Sequence, residues 1–426
     1  MYYYLWTIGC QVNKAESARI ASYLESRGWK QTLSPQVADV VVLNTCVVRQ
    51  NAEDRVLGML GYAKGLKNRK PQLALLVTGC FVSPDIAKLE KLFPYVDRFF
   101  GPGDWLALVD WADKCYHLTS KSGTAVDVLP ARKGSVSAFV PIIQGCNNFC
   151  SYCIVPYRRG REKSRPAIEI IHEAKKLASQ GIKEIILLGQ NVNSYGHDLS
   201  EGVDLAKLLC ELDKIEGIKR IRFMTNHPKD MSEHLIRAVA SLEKVCEHIS
   251  LPLQSGDNEI LKAMRRGYTV EQFRELVSTI RYYIPAVAIS TDVIVGFPGE
   301  SEEHFDHTLL MLEEIKFDTV HVAAYSPRPD TVAARELIDN VPASVKQERV
   351  NKIEMLQMRI AGEINARLKG KSVEVLVEGR KGDKWFGRTR TNKLTFFRYG
   401  DNCLGQLVHV TITKTSPWAL QGDYAC

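Results

Sequence analysis

The chain has 426 residues, 45% hydrophobic and 25% charged, a globular composition too long for one core, so two or three domains are expected. No run approaches the roughly 18 apolar residues of a membrane span, and Met1-Tyr2-Tyr3-Tyr4 lacks the start of a signal peptide; a cytoplasmic location and no membrane partner are expected. Eleven cysteines, an odd number without a secretion signal, argue against a disulfide framework and for metal or redox use, and the net charge of +7 is unevenly placed.

In residues 1–116, strand-like apolar runs alternate with amphipathic segments, the pattern of an open parallel α/β sheet. The runs at 2–8, 37–43 and 73–77 are each followed within a few residues by a cysteine: Cys10, Cys46 and Cys80. Such sheets bind ligands beyond the carboxyl ends of their strands, so the three thiols are expected to converge. Residues 117–135, rich in Ser, Gly, Lys and Thr, read as a linker.

Residues 136–365 repeat the strand and helix alternation six times, with strands expected at 139–144, 184–188, 220–224, 248–253, 288–295 and 319–325. A helix is expected between Pro166 and Gly181. Six such units predict a partial (βα)6 barrel with its chemistry at the strand C-termini. A long helical pattern at 344–368 leads into residues 366–426, whose short strands at 373–377, 385–390, 395–397 and 407–412 predict a small all-β barrel. This tail carries eleven Lys and Arg against five Asp and Glu, a net +6 that suits a polyanion partner.

Cys146-Asn-Asn-Phe-Cys150-Ser-Tyr-Cys153 is the sharpest motif. A lone Cys-x2-Cys would suit zinc, but three closely spaced thiols without a fourth nearby suit a cubane iron-sulfur cluster with one iron left for a small molecule. The second triad, Cys10, Cys46 and Cys80, rests on shared placement, since a single free cysteine is usually core. Cys115, Cys210, Cys246, Cys403 and Cys426 have no such placement and read as structural or incidental. Arg158, Arg159, Arg161, Lys163 and Arg165 form a basic run, either a solvated face or a phosphate contact. Gly189, Gln190, Asn191, Gln254 and Asp292 lie at or after barrel strands as candidate contacts to a cofactor's amino-acid and ribose parts, against the plainer reading of turn chemistry. His227 reads as a loop histidine, and no acid or base is assigned.

These segments resemble the radical SAM (S-adenosylmethionine) methylthiotransferases along the whole chain. The resemblance is carried by Gly9-Cys10-Gln11-Val12-Asn13, Asn44-Thr45-Cys46, Gly79-Cys80, the cluster loop running into Val155-Pro156-Tyr157-Arg158-Arg159-Gly160-Arg161-Glu162, Gly189-Gln190-Asn191, and Gly296-Phe297-Pro298-Gly299. Gly387-Arg388-Thr389-Arg390 resembles the RNA-binding TRAM domain of that family. Gln11 and Glu162 resemble the MiaB-type tRNA branch, which acts on isopentenyladenosine beside the anticodon, more than the branches acting on threonylcarbamoyladenosine or a ribosomal protein. The resemblance implies two 4Fe-4S clusters, SAM, a tRNA substrate, a reducing donor such as flavodoxin or ferredoxin, and a monomer. It further implies that SAM on the first cluster yields a 5′-deoxyadenosyl radical, and that the second cluster delivers sulfur to C2 of the adenine. A noncatalytic iron-sulfur protein that binds RNA is the rival reading.

Overall fold

The computed structural model describes residues 1–116, 134–200 and 202–425; the expected linker, apart from Gly134 and Ser135, and Cys426 lie outside them. The N-terminal sheet is fully parallel, in the order β2-β1-β3-β4-β5 (β1 Tyr2–Thr7, β2 Lys30–Gln31, β3 Val40–Thr45, β4 Ala74–Gly79, β5 Arg98–Phe99). Every residue of β3 and β4 is buried, as the unbroken runs Val-Val-Val-Leu and Ala-Leu-Leu-Val require of strands covered on both faces. Helix Gln50–Arg69 packs on one face through Val56, Leu60 and Ala63, while Gln11–Ser26 and Trp105–Cys115 cover the other through Ile20, Leu24, Leu108 and Val109. Each fully buried Leu or Val contributes about 1.5–3 kcal/mol.

The middle of the chain is the expected partial barrel. Its strands are β6 (Ser137–Pro141), β9 (Glu184–Leu188), β10 (Arg220–Phe223), β11 (His248–Ser250), β12 (Ala288–Val295) and β13 (Thr319–Ala324), paired in parallel as β6-β9-β10 and β11-β12-β13. A parallel bridge from Ile221 to Val245 links the halves. The strand expected at 139–144 is two pieces: β6, and β7 (Ile143–Gln144), which leaves the barrel to pair antiparallel with β8 (Lys163–Ser164). Helix Ala167–Ser179 starts after Pro166 and stops before Gly181, while Ala343–Ala366 packs Ile353 into the barrel core. Helix Val270–Tyr283 begins with a Thr269/Gln272 capping box.

The tail closes as a five-stranded barrel, β14-β15-β16-β18-β17 (β14 Ser372–Lys381, β15 Lys384–Thr389, β16 Leu394–Arg398, β17 Leu407–Thr415, β18 Leu420–Ala425). Trp385 and Phe397 belong to its core, and Phe386 lies against Phe396 with ring centroids 6.2 Å apart. It docks on the larger barrel through buried arginines of β10: Arg222 donates to the carbonyls of Thr389 and Arg390 at 2.7 Å each, and Arg220 pairs with Glu374 at 2.8 Å. No helix among the described residues is long and apolar enough to cross a membrane.

Candidate active site: two cysteine triads at a domain boundary

Cys146, Cys150 and Cys153 occupy one loop after β7, tied down by main-chain bonds from Cys146 to Gly160 (3.1 Å) and from Ser151 to Met264 (3.0 Å). Phe149 within the loop takes a left-handed backbone (φ 46°), and the Arg161 guanidinium lies 4.3 Å over its ring. Arg161 therefore does not lie free beside the loop. Burial pushes the Cys146 thiol up to about 11 and that of Cys153 to about 12; in each case the neighbouring thiols of the triad add to the rise, while the main-chain N–H of Asn148 or Val155 opposes it.

The second triad is assembled by the parallel sheet. Cys10 caps helix Gln11–Ser26, whereas Cys46 and Cys80 directly follow β3 and β4. Gly9 (φ 126°) allows the first two loops to touch, since a Cβ there would stand 2.7 Å from that of Cys46. Asn13 stitches the group together, donating to the carbonyls of Thr45 (2.7 Å) and Ile8 (3.2 Å). Burial, then the Cys80 charge, pushes Cys46 up to about 12; burial also raises Cys80, against the opposing pull of Arg159. Both triads are thus sets of thiols that release protons when they bind a metal.

The two loops meet. Val47 and Cys80 pack with Ile154, the residue after Cys153, in one apolar cluster. Arg159, from the basic run, turns inward instead of toward solvent, donating to Cys80 Sγ (3.2 Å), Glu16 (2.9 Å) and Asn13 Oδ1 (3.0 Å). Burial opposes its charge, but Glu16, Cys80 and Cys10 outweigh that and raise its pKa. Arg165 pairs with Glu173 at 2.7 Å, and Arg158 with Asp330 at 3.5 Å. Among the described residues no three His, Cys, Asp or Glu side chains are grouped closely enough to hold a single metal ion.

A cavity of about 530 Å³ opens beside Cys153, bounded by Arg49 and Gln50 from the N-terminal domain and by Gln254, Asp292 and His321 of the barrel. Burial raises the Asp292 carboxyl, with His321, Arg49 and Arg266 opposing. Gln254 is held at φ 68° with its Oε1 buried and unpartnered, and Asn191 Oδ1 and Asn226 Oδ1 are likewise buried and unpartnered. Three such acceptors around the strand ends match a ligand carrying amino and hydroxyl groups. Gln190 instead accepts from the Gly145 N–H at 2.6 Å, Gly189 lets Ile143 approach, and Asn191 Nδ2 bonds Asp230 at 2.7 Å. Gln190 and Gly189 therefore shape the cluster loop, whereas Gln254 and Asp292 line the cavity. His227 accepts from the Lys229 N–H at 3.2 Å, and its Nε2 is buried without a partner.

His321 also lines a second cavity of about 550 Å³, bounded by the edge strands β6 and β13 and by Lys393 and Trp418 of the tail. Trp418 is 62% exposed. Arg266, Asn226 and Trp418 were not singled out from sequence, since each is brought to its place by contacts remote along the chain.

A cysteine triad on a partial barrel, a second on an added parallel-sheet domain and a small β barrel docked beneath are the build of a radical SAM enzyme with two further domains. Family models agree: Radical SAM superfamily over residues 140–312, Uncharacterized protein family UPF0004 over 2–101 and TRAM domain over 366–425. A tRNA-2-methylthio-N(6)-dimethylallyladenosine synthase from Dehalococcoides mccartyi is 50% identical across 98% of this chain and 97% of its own. One from Thermoanaerobacter pseudethanolicus is 47% identical across 99% and 92%. The fold is shared with the radical S-adenosylmethionine methyltransferase TsrM of Kitasatospora setae, at 16% identity and a TM-score of 0.56, covering 78% of this chain and 77% of that one. The chain belongs to the radical SAM tRNA methylthiotransferases, in the family of the tRNA-2-methylthio-N(6)-dimethylallyladenosine synthases.

Proposed function

We propose that the protein inserts a methylthio group at C2 of N6-isopentenyladenosine (the dimethylallyl form) next to the anticodon of tRNA. The observation that carries this reading is the meeting of two cysteine triads at one domain boundary, through Val47, Cys80, Ile154 and Arg159. SAM and a 4Fe-4S cluster are the cofactors of the superfamily, and tRNA is the substrate class of the relatives. Cys146, Cys150 and Cys153 would hold the SAM-binding cluster, and Cys10, Cys46 and Cys80 a second one. A cluster held by Cys146, Cys150 and Cys153 would, with SAM and one electron from an external donor, supply radical chemistry able to attack an unactivated C–H bond.

The chain's own residues have definite tasks in this reading. Gln254, Asn191 and Asn226 would present amide oxygens to the amino and hydroxyl groups of SAM, with Gly189 and Gln190 shaping the strand end that supports the cluster loop. Asp292 lines the same cavity, where Arg49 and His321 temper its charge. The Val47, Phe81 and Ile154 cluster keeps water from between the triads. Trp418 and Lys393 border the cavity beside the edge strands that an extruded base of a structured RNA would enter. The reading divides the chain into 1–116, a linker at 117–135, the barrel at 136–365 and the RNA module at 366–426. It is completed by a monomer in the cytoplasm, reduced by a flavodoxin or ferredoxin.

The test is the nucleoside content of tRNA from a deletion strain. The 2-methylthio nucleoside should disappear and its isopentenyladenosine precursor accumulate; an unchanged methylthio level sinks the reading. A noncatalytic RNA binder is ruled out by 5′-deoxyadenosine release from reduced, SAM-supplied protein.

A further inference from the structure

Each triad has one sulfur that accepts a hydrogen bond from a buried arginine, but the two arginines differ in charge balance. Arg159 Nε reaches Cys80 at 3.2 Å while its other nitrogens engage Glu16 and Asn13, and the Glu16 carboxylate at 2.9 Å neutralises it. Arg266 Nη1 reaches Cys150 at 3.3 Å, but its remaining bonds go to neutral groups: the Tyr268 hydroxyl (3.1 Å) and the Pro252 carbonyl (3.2 Å). No carboxylate is ion-paired to Arg266 among the described residues: Asp292, whose carboxyl feels its charge, is pushed toward the neutral form by burial, and Arg266 is only 5% exposed. Tyr152 and Tyr268, both phenols, flank it. An unpaired cation buried this deeply is costly unless an anion forms beside it.

A 4Fe-4S centre held by three thiolates is such an anion, and its charge grows by one when it is reduced. A nearby unneutralised cation favours the added electron, and a donor to the ligand sulfur acts in the same direction. A cation already matched by a carboxylate has a much smaller net field. We propose that Arg266 and the Arg159–Glu16 pair set the order of reduction: the Cys146, Cys150, Cys153 cluster accepts an electron more readily than the Cys10, Cys46, Cys80 cluster. The consequence is functional. The electron arrives where SAM is cleaved, while the sulfur-side cluster stays oxidised and is not diverted into a second, unproductive reduction. The inference rests on the reading that both triads hold clusters.

The experiment is a redox titration with titanium(III) citrate, followed by electron paramagnetic resonance. Each one-electron step oxidises Ti(III) to Ti(IV) and takes one cluster from the 2+ to the 1+ state. Cys10, Cys46 and Cys80 are replaced by alanine to isolate the first cluster, and Cys146, Cys150 and Cys153 to isolate the second. The first cluster is expected to show the higher midpoint. Arg266→Gln should lower it and Arg266→Lys should recover part of the loss, while Glu16→Gln should raise the midpoint of the second. An unmoved midpoint in iron-replete Arg266→Gln, or a second cluster that is reduced first in the unsubstituted background, overturns the proposal. If Arg266→Gln loses its iron, Glu16→Gln decides alone, and no rise there overturns it. Iron sufficient for one cluster only in the unsubstituted protein sinks the two-cluster reading instead, and the Arg266 shift is then judged on the first triad.

Discussion

At the scale of single residues, the proposed function gives the six cysteines two different tasks. If the first triad binds SAM's cluster and the second supplies sulfur, Cys150→Ala should abolish 5′-deoxyadenosine release from anaerobically reconstituted protein. Cys46→Ala should retain release and lose methylthiolation; full methylthiolation by that variant rejects the second-cluster assignment. A different residue-scale effect comes from two buried histidines. Burial lowers His227 to about 2, helped by Arg266 and Lys229, and burial lowers His248 to about 3, helped by Arg222. Unfolded histidine titrates near 6.5, so the unfolded chain binds these protons first as acid is added. The stability they contribute is complete above about pH 6.5 and is lost as pH falls from there toward 3, at about 1.4 kcal/mol per pH unit for each histidine. The melting temperature should therefore drop steadily below pH 6.5, and His248→Gln should make that drop shallower in differential scanning calorimetry. Equal slopes for both proteins refute the assignment.

At the scale of elements, strands were easiest to read where the chemistry is local. β9 and β12 match the expected 184–188 and 288–295: β9 runs Ile185-Ile186-Leu187-Leu188 up to Gly189, and β12, although it carries Ser290, Thr291 and Asp292, closes with Val293-Ile294-Val295 before Gly296. The expected strand at 139–144 split because Gln144 leaves the barrel to pair with Lys163 and donates to the Pro102 carbonyl at 3.1 Å, partners remote in sequence. β18 escaped notice since Leu420–Ala425 alternates weakly and owes its place to β16 and β17 on either side. The candidate site divides in the same way. Cys146, Cys150 and Cys153 declare themselves by spacing, whereas Arg266 reaches Cys150 from a turn 116 residues away and leaves no local mark. Between these extremes stands Gly145, at φ 80°, where an added Cβ would lie 2.0 Å from the Arg161 carbonyl. Backbone cannot yield there as a flexible side chain can. Gly145→Ala should displace the loop and remove iron from the first triad while the second keeps its share, so iron per chain should fall by about half. Unchanged iron content would show that the loop adapts.

At the scale of the whole molecule, the proposed function requires a module with net +6 to bring an RNA base to a site inside another domain. The tail is fixed by Arg220 and Arg222 of β10, the first pairing with the tail's Glu374, and by its own Arg390, which pairs with Glu247 at 2.7 Å, so docking consumes tail charge of both signs. Lys393 is likewise bound to Asp318 at 2.6 Å. The charge left over supplies attraction that salt weakens, and attraction of this kind does not choose a base. Trp418 adds what charge does not: an exposed indole at the mouth of a cavity whose inner wall includes His321, shared with the cavity beside Cys153. Base stacking on an aromatic is worth about 1–3 kcal/mol and persists in salt. Trp418→Ala should therefore weaken binding of an anticodon stem-loop by roughly 5- to 150-fold, the same free energy expressed as a ratio. Trp418→Phe should recover most of it, and a hairpin lacking the target base should bind both variants and the unsubstituted protein alike. Fluorescence anisotropy at two salt concentrations separates the contributions: the salt slope should be the same with or without the indole, while the offset between the two lines measures stacking. Parallel lines that coincide would mean that the base enters the barrel without Trp418.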